Sequence, residues 1–209
     1  MQEVVIVDYE AGNLKSVELG VRFLEFRPVV TADPEVVRGA GRLIFPGVGA
    51  AGAAVSRLKS SGLGEALADY VLTGRPILGI CLGTQIIFQH SEEGDTDCLG
   101  ILPGTVERFP EPLQEDGRRL KVPQMGWNSV EFVEEHPVWS GVESGSEFYF
   151  VHSYRPVPSE EGMVIGRTRY GVPFASAVAR ENLVAFQFHP ERSGRVGLRV
   201  LKNYLGWQP

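Results

Sequence analysis

A cysteine flanked by glycines, Gly79-Ile80-Cys81-Leu82-Gly83, stands where one apolar run hands over to another. A Gly-x-nucleophile-x-Gly turn needs small neighbours. The nucleophile sits in a strained backbone conformation, and a side chain beside it would strike the strand or the following helix. Such a turn holds the thiol out at the carboxyl edge of a sheet. A helix N-terminus then favours the reactive thiolate over a thiol of free pKa about 8.5. It also leaves the Leu82 N–H free to face a developing oxyanion. Taken alone, Cys81 could equally be a small buried hydrophobe. A second group adds weight: Phe186-Gln187-Phe188-His189-Pro190-Glu191 is an apolar strand that ends in a histidine and a carboxylate two residues apart. Extended geometry through Pro190 places His189 and Glu191 on one side. His189 can take the cysteine proton, and Glu191 can orient the imidazole and stabilise its charged form. Cys81, His189 and Glu191 therefore form a candidate triad, and His90, His136 and His152 are read as structural.

Gly47-Val48-Gly49-Ala50-Ala51-Gly52 matches the dinucleotide pattern G-x-G-x-x-G and follows an apolar strand. The partner test fails, because the acidic residue expected about 20 positions later should close the next strand. Glu65 and Asp69 instead fall in helical periodicity. Exposed glycine amides suit another use, as a second oxyanion donor supplied from a neighbouring loop.

These groups need a scaffold. Val4-Val5-Ile6-Val7 is a continuous β-branched run of the kind buried on both faces of a parallel sheet, and Leu14, Val17, Val21 and Leu24 share one helical face. Leu43-Ile44-Phe45, closed by Pro46-Gly47, reads as the next strand. Helical spacing of Leu63, Leu67, Tyr70 and Val71 follows, then a strand over 76–80. This rhythm predicts an α/β fold with a doubly wound, mostly parallel sheet. The apolar runs at 130–133, 148–151, 163–165 and 183–188 lack intervening helices and predict antiparallel additions. The stretches at 91–97 and 111–121 read as polar loops, and a last helix runs over 194–205 with Leu198, Leu201 and Leu205 on one face. One domain, 1–209, is expected.

With 20 Lys and Arg against 26 Asp and Glu, the net charge of -6 excludes a basic nucleic-acid wrapper. At 43% hydrophobic and 22% charged residues, the chain is too apolar for a disordered acidic tail. Two cysteines are too few for a disulfide scaffold, which points to a reducing cytoplasm. There is no apolar run of about 18 residues, and Met1-Gln2-Glu3 lacks the basic flank of a signal peptide, so no membrane association is expected. No metal-ligand spacing or phosphate loop appears, so neither a metal nor a cofactor is expected.

Together these motifs resemble the class I, triad-type glutamine amidotransferases. More narrowly they resemble the glutaminase subunits of imidazole glycerol phosphate synthase in histidine biosynthesis. The elbow with Gln85 and His189-Pro190-Glu191 carry the wider likeness. The narrower one rests on Ile6-Val7-Asp8-Tyr9 with Gly12-Asn13-Leu14, Pro46-Gly47-Val48-Gly49, Pro123-Gln124-Met125-Gly126-Trp127-Asn128, and the run from Phe148 to Tyr154. The resemblance implies a flavodoxin-like domain in which Cys81 attacks the glutamine carboxamide, His189 protonates the departing ammonia, and water releases glutamate from the thioester. It assigns the oxyanion hole to the Leu82 N–H and a donor from the 46–49 strand, Val48 N–H after a peptide flip, beside Gly49. Gln85 and Glu93 would hold the amino-acid end of the substrate, with backbone contacts from Ser153 and Tyr154. It further implies a heterodimer with a (β/α)8-barrel cyclase that receives the ammonia, faced by Asn13, Pro123, Met125, Trp127, Tyr149 and Arg192. A chain of 209 residues has room for the glutaminase and none for the cyclase. Against the usual pattern, Thr84 stands for methionine, Glu10 for glycine, Gln124 for histidine and Arg192 for lysine. Two other readings stay open on the residues alone: a self-sufficient cysteine amidase or γ-glutamyl hydrolase, and a flavodoxin-like binding module without catalysis.

Overall fold

The computed structural model describes residues 1–10 and 14–209. Its first half alternates strand and helix: β1 (Glu3–Val7), α1 (Leu14–Phe23), β2 (Arg27–Thr31), α2 (Pro34–Gly39), β3 (Leu43–Gly47), α3 (Ala51–Ser61), α4 (Leu63–Val71), β4 (Ile77–Cys81) and α5 (Leu82–Ile86). The second half supplies β5 (Gln124–Phe132), β6 (Ser146–His152), β7 (Val164–Tyr170), β8 (Val172–Arg180), β9 (Leu183–Phe186) and α6 (Gly194–Gly206). These strands form a nine-stranded sheet in the order β6-β5-β7-β8-β9-β4-β3-β1-β2. From β2 to β9 the neighbours are parallel, and from β9 to β6 they are antiparallel.

Alternation along the central strands explains the two apolar layers. Val5 and Val7 face α2, α3 and α4 on one side, whereas Val4 and Ile6 face α1 and α6 on the other. All four are essentially buried, and each such side chain contributes about 1.5–3 kcal/mol on leaving water. Arg42 secures the second layer from within. Its guanidinium is buried and donates to the carbonyls of Tyr204 (2.7 Å) and Trp207 (2.7 Å), tying the end of α6 to the sheet.

The doubly wound sheet with antiparallel additions follows the expectation, with corrections. Leu43 does not begin the second strand, because β2 and α2 precede it. β2 is a half-exposed edge strand carrying Pro28, a residue that suits an edge because it donates nothing to a ladder. The run at 183–186 is antiparallel only to β8; against β4 it is parallel, completing the parallel half. β8 had no counterpart in the sequence reading. Residues 91–97 and 111–121 are not wholly loop. His90–Ser91 pairs with Thr96–Asp97 inside a separate four-stranded sheet with Gly104–Arg108 and Tyr154–Pro158, and Gln114–Glu115 pairs with Arg118–Arg119. No helix among the described residues is long and apolar enough to cross a membrane.

Candidate active site

The parallel half of the sheet delivers the nucleophile. Cys81 ends β4 with φ 53° and ψ −109°, a conformation costly for a side-chain-bearing residue, and α5 begins at the next residue. The flanking glycines are required by close approach. A Cβ on Gly83 would lie 2.0 Å from the Phe45 carbonyl oxygen, and one on Gly79 would lie 3.0 Å from the Ala185 Cβ. α5 spans only five residues, so its dipole is weaker than a long helix would supply. The charge partner of the sulfur must come from elsewhere.

That partner stands just beyond the strand next to β4. β9 is parallel to it, and the chain beyond β9 carries His189 to the same edge of the sheet. His189 Nδ1 lies 2.8 Å from Glu191 Oε1, both side chains nearly inaccessible. Pro190–Arg192 forms a 3-10 turn rather than the expected extended segment, and this turn brings the two side chains together. The backbone of His189 is fixed as well. Its N–H donates to the Tyr149 carbonyl (2.9 Å), and its carbonyl accepts from Ser193 Oγ (2.6 Å). Nε2 has no hydrogen-bond partner of any kind among the described residues, so it is available to Cys81. Burial works to lower the imidazole pKa, but interaction with the neighbouring Cys81 and the bond to Glu191, together with their negative charge, override it and raise it to about 10.

Sequence reasoning missed Gln187. Its side chain is fully buried, Nε2 lies 3.7 Å from Cys81 Sγ, and Oε1 accepts from Gln85 Nε2 at 2.9 Å. A lone amide inside Phe186-Gln187-Phe188 was the available signal, since a buried polar group must find partners. Gln85 also donates to the Tyr154 carbonyl (3.0 Å). His152 Nδ1 bonds that same carbonyl (2.8 Å), and its Nε2 lies 3.0 Å from Gln124 Oε1. Burial, and further the charge of His189, push His152 down to about 4 despite the Tyr154 bond, so the ring is neutral. A neutral imidazole that donates from Nδ1 can only accept at Nε2. The Gln124 amide, whose oxygen is placed at that nitrogen, therefore has to be turned over so that its NH2 group donates there. Gln124 is thus a buried partner of His152.

A cavity of about 340 Å³ opens over the sulfur, lined by Val48, Gly49, Cys81, Leu82, Gln85, Glu93, Pro123, Val151, His152, Ser153 and Tyr154. All the residues expected to form the oxyanion hole and to hold substrate are on its wall. A wider groove of about 700 Å³ beside Phe132, His136 and Trp139 has no cysteine on its wall and is lined by none of the candidate triad residues. Glu93 Oε2 accepts the Ala51 N–H at 2.7 Å, so the start of α3 is occupied by the protein's own carboxylate where a dinucleotide would need its pyrophosphate.

Met125 and Trp127 are exposed at 66% and 54%, and Trp127 stands edge-on to Tyr149 with centroids 6.3 Å apart. The Arg192 guanidinium lies 4.2 Å over the Tyr149 ring. These residues form a surface joined to the triad through the Tyr149 carbonyl. Asn13 lies outside the described residues. Two departures from the common pattern have local reasons. Thr84 Oγ1 donates to the Phe186 carbonyl (2.7 Å), tying α5 to β9. Glu10 holds φ 62°, where glycine is easiest, and Arg57 binds both its carbonyl (2.6 Å) and its carboxylate (3.2 Å).

A family model described as glutamine amidotransferase class-I matches residues 5–205. The chain is 47% identical to a Thiobacillus denitrificans protein named imidazole glycerol phosphate synthase subunit HisH, over 99% of this chain and 92% of that one. It is 46% identical to the Aromatoleum aromaticum protein of the same name, with 100% of both covered. Among solved structures, PurLQS from Thermotoga maritima superimposes with TM-score 0.74 at 18% identity over 98% of each chain. A structure described as a glutamine amidotransferase gives TM-score 0.71 at 20% identity over 97% of each. At those identities the structural likeness is one of fold.

Proposed function

The chain belongs to the class-I glutamine amidotransferase family, and from that premise we propose that Cys81, His189 and Glu191 carry out its glutaminase reaction. It is a glutaminase subunit of imidazole glycerol phosphate synthase, acting in histidine biosynthesis. The observation that carries the residue assignment is the His189 imidazole, held by Glu191 on one nitrogen and left free toward Cys81 on the other.

The thiolate of Cys81 attacks the side-chain carboxamide carbon of glutamine, forming a C–S bond and placing the carbonyl electron pair on oxygen. Leu82 N–H and Val48 N–H, beside Gly49, receive that oxyanion. His189 gives its proton to the amide nitrogen, the C–N bond breaks, and ammonia leaves. Acylation removes the sulfur charge that helped raise the His189 pKa. The imidazole therefore stays neutral and can take a proton from the water that attacks the thioester. Glutamate leaves and the thiolate–imidazolium pair is restored. Gln85 and Glu93 hold the amino-acid end of the substrate, Glu93 pairing with its ammonium, and Ser153 and Tyr154 add backbone contacts.

The whole chain acts as one domain that hands ammonia to a cyclase subunit of (β/α)8-barrel fold within a heterodimer. Pro123, Met125, Trp127, Tyr149 and Arg192 form the docking face. Docking shields ammonia from water, which would protonate it. The test is glutamate release by the isolated chain and by the chain with a cyclase loaded with imidazole glycerol phosphate. Strong stimulation by the loaded partner is expected. Fast turnover indifferent to the cyclase would sink the coupled reading in favour of a self-sufficient amidase.

A further inference from the structure

Tyr9 follows β1 and is 3% exposed, its ring 5.4 Å from that of Phe45. Its hydroxyl is buried and has no hydrogen-bond partner among the described residues. Folding seldom leaves a buried O–H unpaired, because its lost hydration is not replaced. The position of this oxygen is unusual. A Cβ on Gly47 would lie 1.9 Å from it, and the same point is 3.2 Å from the Leu82 Cβ. The phenol thus fills the space that a side chain at Gly47 would take, where the two backbone segments supplying the oxyanion donors meet. Burial, and secondarily the charge of Cys81, raise its pKa above the ordinary phenol value, so the oxygen keeps its proton and remains a donor.

We propose that Tyr9 is a positioning residue for the oxyanion hole: its O–H donates to the Gly47 carbonyl when the Gly47–Val48 peptide turns its N–H toward the adduct on Cys81. The inference rests on the glutaminase reading and deepens it. In a trans peptide the N–H and C=O point in opposite directions, so turning the amide into the site turns the Gly47 oxygen away from it. A donor already waiting beside Gly47 satisfies that oxygen. Gly49, with φ 106°, gives the segment a permissive joint on its far side. The hydroxyl is idle in the resting strand and paired in the turned one, which favours the turned state.

The test is Tyr9→Phe in complex with the loaded cyclase. The ring packing survives, and only the hydroxyl is lost. We expect kcat to fall about ten-fold, the effect of one hydrogen bond made only in the active state. KM for glutamine should stay within about two-fold. Tm should be unchanged or higher, and the rate of Cys81 alkylation by iodoacetamide, which passes through no oxyanion, should not change. An unchanged kcat overturns the proposal. So does a parallel fall in alkylation, which would place the effect on the sulfur, or a lower Tm with a raised KM, which would make Tyr9 a packing residue. If the wild-type complex itself releases no glutamate, the glutaminase reading fails before the variant is compared, and this proposal fails with it.

Discussion

His189 Nδ1 sits 2.8 Å from Glu191 Oε1 inside a 3-10 turn, so the carboxylate acts on the imidazole two residues before it in the chain. Buried as both side chains are, this bond selects the Nδ1-protonated ring and turns Nε2 toward the nucleophile. Glu191→Gln keeps the shape but removes the charge. It should lower kcat by roughly 10²–10⁴ with little change in KM, the pattern of an interaction felt in the transition state. Steady-state kinetics of the complex check it, and a fall of less than about three-fold would remove Glu191 from the triad.

The same pair makes stability depend on pH. The folded pKa of His189, about 10, lies above the unfolded value of about 6.5. Its charged form therefore contributes stability that is complete below about 6.5 and is lost as pH rises through about 10. Between pH 7 and 10 the Tm of the wild type should decline more steeply than that of His189→Gln. In Cys81→Ala, which keeps only one of the two partners that raise the imidazole pKa, the decline should begin at the same pH but be smaller and end at lower pH. Parallel Tm curves for all three chains would contradict the assignment.

Cys81→Ala should abolish glutamate release while leaving association with the cyclase intact, because the sulfur lies beneath the cavity and not on the Met125–Trp127–Tyr149 face. Titration of the variant with the cyclase, followed by sedimentation, gives the affinity. A loss of more than about ten-fold would show that nucleophile and docking face are one structure.

The site was legible in the sequence because glycine contacts and strand ends are local. Gly79 and Gly83 are dictated by atoms within a few ångströms of the elbow, and His189-Pro190-Glu191 closes a visible apolar run. Non-local placement was not legible. The run at 183–186 carries no mark that one neighbour is parallel and the other antiparallel, since pairing with β4 joins residues about a hundred positions apart. Two-residue strands such as His90–Ser91 are too short for alternation to show. α2 could have been read, because Asp33 caps it, accepting the Glu35 N–H at 2.9 Å, with Pro34 at its first position.

Gly83→Ala tests the elbow independently of catalysis. The new methyl would lie 2.0 Å from the Phe45 carbonyl oxygen, a backbone atom of β3 that cannot move without disturbing the sheet. Overpacking of this kind costs about 1–3 kcal/mol or more, a fall in Tm of roughly 2–12 °C for a chain this long. Gly206→Ala, where a Cβ meets nothing within 4 Å, is the control and should change Tm little. Equal Tm values for the two variants would mean that the close approach at Gly83 does not exist in solution.

Glu93→Gln separates substrate capture from chemistry. The carboxylate lines the cavity and accepts the Ala51 N–H at 2.7 Å. Glutamine at this position still offers a carbonyl oxygen to Ala51, so the entry to α3 is kept, and only the charge that attracts the substrate ammonium is lost. Hydrogen bonds between charged groups are worth about 1.5–3 kcal/mol, so KM for glutamine should rise roughly 10- to 100-fold with kcat within a few-fold. Glu93→Leu removes the Ala51 acceptor as well. If Ala51 anchors the neighbouring oxyanion segment through this bond, that variant alone should also lose kcat. Identical kinetics for the two variants would confine Glu93 to charge pairing with the substrate.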